Sequence, residues 1–290
     1  MNKISQTISN LSTGSDVTIH GTTYNGVAGI RYVKNGVTKE VSKLVLNGSS
    51  IWTGSGGTTP VEPTLPEKKA FSEMTWADIQ TVCKAGKASE YWSIGDTHVL
   101  YADGTYNVQI IGFDHDTPAD TSIYGRNKAG ITVEMVNCFD ASATMNNSNS
   151  TIGGWESCNM RATILPELLT SISEGNSLSQ YICPVVKSSS GGGTVSSASI
   201  VTTTDNFFIL SEIEILGTSS YSVEGEGEQY TWYKTNNATK VKESAPGKFV
   251  TRWTRSAYTI QRYAIINAMG SAANVAPTTT TVSYTVAFCV

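Results

Sequence analysis

Along residues 17–53, short runs of Val, Ile and Tyr alternate with polar residues, and Asn25-Gly26, Asn35-Gly36 and Asn47-Gly48 fall between them. Asn-Gly suits a type I′ turn because both central residues need φ > 0, so this stretch predicts a small all-β module of three to five short strands. Such a piece has little core of its own and calls for a partner surface, from another copy or from an assembly. Periodicity vanishes in "TGSGGTTPVEPTLPEKK", Thr53 to Lys69, where Gly, Thr and Pro dominate and a linker is expected. Helical spacing returns at Trp76, Ile79, Val82 and Cys83, with Thr75 and Asp78 as a variant capping box and Gly86 as the stop. "HVLYADG", "YNVQIIGFDHD", "QYICPVV" and "FFILSEIEILG" predict strands. "GGWESCNMRATILPELLTSI" predicts a helix from near Asn159 with a break at Pro166, and "GEGEQYTWYKTNNATKVKE" a short helix with a polar face. "KSSSGGGTVSSAS" is an exposed low-complexity loop by composition.

The last third carries a different signal. "TVSYTVAFCV" alternates like a closing core strand, and "RYAIINAMG" predicts a strand that turns near Gly270. Period-2 alternation then sends Ala264 and Ile266 inward and Tyr263, Ile265 and Asn267 outward, while "SAANVAPTTTT" has neither period and is expected to be loop. Arg262 is the lone charged residue from Ser256 to Val290. An uncharged surface of Tyr, Gln, Arg and Asn suits a binding face, since Tyr and Arg bury large areas and Asn and Ser adapt.

Composition narrows the function classes. The chain has 290 residues, a formal net charge of −4 and 15% charged residues. No basic cluster points to nucleic acid. No apolar run approaches the roughly 18–20 residues that span a bilayer, and "MNKISQTISNLSTGSD" contains no apolar stretch of a secretory signal. Cys83, Cys138, Cys158, Cys183 and Cys289 are scattered, with no C-x-x-C pair, and read as buried free thiols.

Chemistry has few footholds. Asp114, His115, Asp116 and Asp120 crowd "GFDHDTPAD", where a metal site competes with a loop whose carboxylates satisfy backbone N–H groups. Adjacent residues of an extended segment point to opposite faces, which disfavours the metal, and no metal or other cofactor is expected. No G-x-S-x-G elbow occurs, and nothing pairs Cys158 or Cys289 with His98 or His115. Glu212 and Glu214, two apart on a predicted strand, share a face that is either solvated or tied to Arg161 or Arg255. No catalytic residue is assigned, and an enzyme is not expected.

The order of "TWADI", "AGKASEYWSIGD", "VQIIGFDHD", "KAGITVEM", "MNNSNSTIGGWESCNMR", "FFILSEIEILG", "EGEGEQYTWYK", "WTRS" and "VAFCV" resembles a widespread domain family of unknown function found in phage tail proteins and bacterial surface proteins. That family looks distantly related to the C-type-lectin-like fold shared with formylglycine-generating enzymes. The resemblance covers about residues 71–290 and implies an α+β fold with a C-type-lectin-like domain. The resulting organisation is an attachment or oligomerisation module over 1–52, a linker over 53–70 and a receptor-binding domain over 71–290.

Family members usually carry Trp-Leu-Arg-Ser-Pro where this chain has Trp253-Thr254-Arg255-Ser256-Ala257. The resemblance implies structural work for Trp253 and Arg255, with Trp155 and Arg161 assigned alongside them. Some lectin-like phage domains place a hypervariable, retroelement-diversified patch just after this motif. The receptor-reading face expected there is Tyr258, Gln261, Arg262, Tyr263, Ile265, Asn267 and Asn274. The function implied is a phage tail-fibre or tail-tip protein in the virion tail that recognises a host surface protein or glycan. Its N-terminal module would join other tail or baseplate proteins, three copies would assemble, and neither nucleic acid nor membrane insertion is involved. A bacterial surface-displayed ligand-binding protein is the alternative, and a tail-associated cell-wall hydrolase a third.

Overall fold

A computed structural model describes the backbone of the strands between residues 6 and 53, and residues 65–101, 106–193, 199–235 and 240–290. The chain divides into two compact units, Met1–Thr64 and Leu65–Val290. Both helices and antiparallel sheets are present, so the class is α+β.

The first unit contains β1 (Gln6–Ser9), β2 (Ser15–Ile19), β3 (Thr22–Val27), β4 (Gly29–Lys34), β5 (Val37–Val41), β6 (Lys43–Leu46) and β7 (Ser49–Thr53). Its sheets are β1-β4-β5, β2-β3 and β6-β7, and six of these strands, β2 to β7, fall on the stretch 17–53 against the three to five expected there. Lys34 pairs with Val37 and Leu46 with Ser49, which leaves Asn35-Gly36 and Asn47-Gly48 as the two-residue connections, themselves outside the described residues. Asn25-Gly26 does not join two strands but lies within β3, where the register against β2 shifts. A glycine inside a strand marks such a bulge as readily as a turn. The linker stretch 54–64 also lies outside the described residues.

The second unit opens with α1 (Trp76–Lys84), capped as its sequence dictates: the Thr75 hydroxyl accepts the Asp78 N–H at 3.2 Å. Trp76, Ile79, Val82 and Cys83 are buried on its inner face, and α2 (Ala88–Tyr91) follows. The central sheet runs β19-β11-β9-β8, formed by β8 (Thr97–Val99), β9 (Asn107–Phe113), β11 (Ile131–Met135) and the last strand, β19 (Ala287–Cys289). All of β11 and β19 is buried. A second sheet, β10-β12-β13, joins β10 (Thr117–Pro118) to β12 (Val185–Ser190) and β13 (Ile200–Asp205).

Helices α3 (Thr121–Tyr124), α4 (Gly154–Ser157) and α5 (Leu165–Asn176) lie between these strands, with one π-turn over Met160–Ile164 leading into α5. The expected break at Pro166 is a change of helix type rather than an end: the π-turn over Met160–Ile164 gives way at Leu165 to α5, with Pro166 as its second residue.

The stretch "FFILSEIEILG" is also corrected. After a single bridge at Phe208, residues Glu212–Leu216 form α6. Ser211 accepts the Glu214 N–H at 3.1 Å, and the Glu214 carboxylate accepts the Ser211 N–H at 3.0 Å. This reciprocal capping box outweighs the β-propensity of the Ile-rich run. The helix α7 (Thr231–Thr235) precedes the hairpin β14 (Lys242–Ala245) and β15 (Lys248–Val250). The third sheet, β16-β17-β18, comprises β16 (Arg252–Thr259), β17 (Arg262–Ile266) and β18 (Ala272–Val275), so part of the expected loop "SAANVAPTTTT" is an edge strand.

Candidate functional site

Four segments meet at one end of the third sheet. They are the hairpin tip from Tyr258 to Arg262, the polar loop from Asn147 to Gly153, the glycine-rich stretch from Ser190 to Gly193, and the loop from Thr218 to Gly225. Thr151 ties three of them together. Its N–H donates to Ile260 O at 2.9 Å, its hydroxyl donates to Thr259 O at 2.5 Å and accepts the Gly193 N–H at 3.1 Å.

The backbones approach too closely for side chains to intervene. A Cβ on Gly154 would stand 1.9 Å from Ser190 O, and one on Gly192 would stand 1.7 Å from Thr151 O. Both residues have positive φ, so glycine is required twice over. The fourth segment joins through Tyr221, whose ring meets Tyr258 edge-on at 5.0 Å, and through Gly225, which lies against Ile200.

Buried carboxylates set these loops from beneath. Glu212 accepts the N–H groups of Ser220 at 3.1 Å and Tyr221 at 2.7 Å, which fixes the fourth segment. Glu226 accepts the Ser190 N–H at 2.9 Å and the Ser256 hydroxyl, linking the glycine-rich stretch to β16. Burial pushes the Glu226 carboxyl up to about 7, against the pull of Ser256 and Arg255.

Arg255 stands at the centre. Its guanidinium meets the Glu214 carboxylate through both terminal nitrogens, one contact measuring 2.8 Å, and also donates to Ile209 O, Ser188 O, Glu226 O and Ser189 Oγ. Lys187 bridges Glu214 and Asp116 at 2.7 Å each, and Asp116 accepts from Thr132 and Tyr230 as well. Burial opposes ionisation of Asp116 and Glu214, yet the adjacent cations hold both below the usual carboxylate range.

Two further buried clusters brace the domain. Glu134 on β11 receives Arg252 at 2.6 Å, Lys242 at 3.1 Å, Thr285 at 3.0 Å and the Tyr233 hydroxyl. Asp205 receives Trp155 Nε1 at 3.0 Å and Arg161 at 2.6 Å, while Trp253 Nε1 donates to Ala143 O at 2.7 Å. Trp155, Arg161, Trp253 and Arg255 thus connect separate loops. Trp155, Trp253 and Arg255 are fully buried, and Arg161 is 25% exposed at the rim of a 310 Å³ cavity lined also by Leu165, Leu169 and Phe207.

The seven residues expected to form one face are divided. Gln261 and Arg262 are exposed and Tyr258 half-buried at the hairpin tip. Tyr263 and Ile265 are core, which corrects their outward assignment. The middle of β17 is covered on both faces, so alternation does not hold along it. The Tyr263 hydroxyl donates to Gly154 O at 2.9 Å and its ring meets Trp253 edge-on at 6.4 Å. Asn267 is at the far end of β17, where its side chain organises the turn by accepting from Met269 and Ser271. Asn274 is half-buried on β18 opposite Ala264.

The sequence reading missed Ile152 and Ile260, 68% and 54% exposed on adjoining segments, and Ile200 at 37%. It also missed Tyr221 and the carboxylates that hold the loops. The signal for the first was present: an isolated Ile between "NNSNST" and a Gly-Gly pair has no periodic partner to pack against.

The aspartate-rich loop does not converge. Asp114 pairs with Arg126 at 2.9 Å, Asp116 with Lys187, and Asp120 accepts from Ser122, while His115 stacks on Tyr230 at 4.0 Å. Among the described residues no group of three or more His, Cys, Asp or Glu side chains could hold a metal ion. All five cysteines are buried free thiols. Burial pushes Cys138 up to about 11 and both Cys158 and Cys183 up to about 12, far from thiolate formation near neutral pH. No described helix is long and apolar enough to cross a membrane.

A family model described as Domain of unknown function (DUF6273) matches residues 128–290, more than half of the chain. No curated protein matches, and no solved structure matches.

Proposed function

Because the chain belongs to the DUF6273 family, whose description assigns no activity, function must come from the site, and we propose that this is a receptor-binding protein whose second unit captures a ligand without chemistry. The observation that carries the reading is the convergence of four loops into an exposed, nearly uncharged face over a closed ionic core. A binding face must hold its shape before the partner arrives, since ordering it on contact costs affinity. Here the loops are tied by backbone hydrogen bonds and buried carboxylates, and the outermost residues Gln261, Arg262, Ile152 and Ile260 are left free of the core. The charged residues beneath have their partners inside the protein and are sealed from solvent, which suits a scaffold rather than a reaction centre.

The order of sequence motifs, together with an α+β domain of short strands and long loops, supports a C-type-lectin-like fold. The same resemblance supports a tail-fibre or tail-tip protein of a phage, acting in the virion tail on a host surface protein or glycan. In that setting the first unit attaches to other tail or baseplate proteins and three copies assemble.

The test is direct binding of the labelled full chain to a panel of intact bacterial cells, alongside a turnover assay on purified cell-wall material. Saturable binding to some cells with no turnover is expected. Release of cell-wall fragments by the folded chain would overturn the reading.

A further inference from the structure

Resting on the receptor-binding reading, we infer that the loop face docks on a folded protein rather than a glycan, and that the Ile152–Ile260 pair is its anchor. The two residues belong to segments locked together by the Thr151 N–H bond to Ile260 O and the Thr151 hydroxyl bond to Thr259 O. Both are β-branched and so lose little rotamer freedom when covered. They are among the most exposed large aliphatics of the described residues, at 68% and 54%.

Around them stand Tyr221, Tyr258, Gln261 and Arg262, with Ser, Gly and Asn filling the loops. An apolar centre, a polar rim and a Tyr/Ser/Gly/Asn background is the make-up of protein-reading surfaces. Arg262, the lone cation of the hairpin tip, suits a partner carboxylate at the rim, and the exposed Glu224 of the fourth loop suits a partner cation.

A sugar needs other chemistry. Its C–H face packs on a flat aromatic ring, and its vicinal hydroxyls are read by carboxylates or amides. The Tyr221 and Tyr258 rings are turned edge-on against each other at 5.0 Å. The carboxylates of Glu212 and Glu226 are directed inward to the N–H groups of Ser220, Tyr221 and Ser190. What protrudes at the centre is branched aliphatic surface, a knob that a protein can enclose and to which sugar hydroxyls cannot hydrogen-bond; the exposed Glu224 carboxylate and the amides of Asn147, Asn149 and Gln261 belong to the surrounding loops.

The experiment measures binding of the fluorescently labelled full chain to the same cell panel in three states: untreated, protease-shaved and periodate-oxidised. Wild type, Ile152→Ser/Ile260→Ser and Ile152→Val/Ile260→Val are compared, with thermal unfolding and sedimentation on each. Binding is expected to survive periodate and vanish after protease. The serine pair should weaken it at least tenfold at unchanged melting temperature, and the valine pair should retain it. Binding that survives protease and is lost after periodate overturns the protein partner while leaving receptor binding standing. No binding to any untreated cell overturns the receptor reading and this inference with it. Unchanged binding by the serine pair removes the anchor, and loss of self-association in its place would make this face a contact between copies of the chain.

Discussion

Arg255 makes hydrogen bonds to four separate segments, so its removal does more than delete one ion pair. Arg255→Ala leaves Lys187 to neutralise both buried carboxylates, Glu214 and Asp116, and breaking a buried pair from one side costs about 3–5 kcal/mol. For a unit of this size that lowers the melting temperature by roughly 10 °C, which differential scanning calorimetry reads. Unchanged melting with lost binding would place Arg255 in the site instead.

Glu226 gives a pH dependence of its own. Its buried carboxyl, raised from 4.5 to about 7, holds a proton that the unfolded chain has already released. The stability it contributes is full below about 4.5 and is lost as pH rises through about 7, by about 1–3 kcal/mol in all. Glu226→Gln should flatten that decline in denaturant titrations between pH 5 and 8. A decline that persists in the variant assigns it to another group. None of this was legible in the sequence, where Glu226 is one acid of "EGEGE". Burial, which moves its proton affinity, depends on Ser190 and Ser256 arriving from distant parts of the chain.

At the scale of elements, legibility followed the strength of local rules. Helix α1 was readable because cap, apolar spacing and stop agree over Thr75–Gly86. Helix α6 was misread as a strand because three Ile or Leu residues in a short run fit either period, although Ser211 and Glu214 already stood at capping-box spacing. Strand β17 was placed correctly but its faces were not. Alternation assumes one wet side, and the core closes over both sides of Tyr263–Ile266. The cap can be tested alone. Ser211→Ala removes the hydroxyl that accepts the Glu214 N–H and donates to Glu226 O at 2.8 Å. A loss of about 1–2 kcal/mol is expected in urea unfolding, and a neutral substitution would mean that packing alone holds α6 in place.

At the scale of the whole molecule, the described residues of the second unit share one contiguous core from Phe71 to Val290, and the last strand lies in its central sheet beside β11. The alternating C-terminus showed the closing strand, since alternation is a local signal, whereas Leu65–Ala70, expected to be linker, belong to the second unit, where Pro66 O accepts from Tyr91 and Lys69 O from Trp92. The sequence did not show the face, because Thr151, Ser190, Tyr221 and Ile260 are brought together only by the fold. The central claim is that the loop tip binds while the adjacent strand merely supports it. The measurement that tests this most directly is a cell-binding titration of the full chain carrying Gln261→Ala/Arg262→Ala, beside Tyr263→Ala, each with its melting curve. The tip pair should bind at least tenfold more weakly with stability within about 0.5 kcal/mol of wild type, while Tyr263→Ala should lose roughly 3–5 kcal/mol of stability as a truncated core aromatic. Wild-type binding by a fully folded tip pair would contradict the claim.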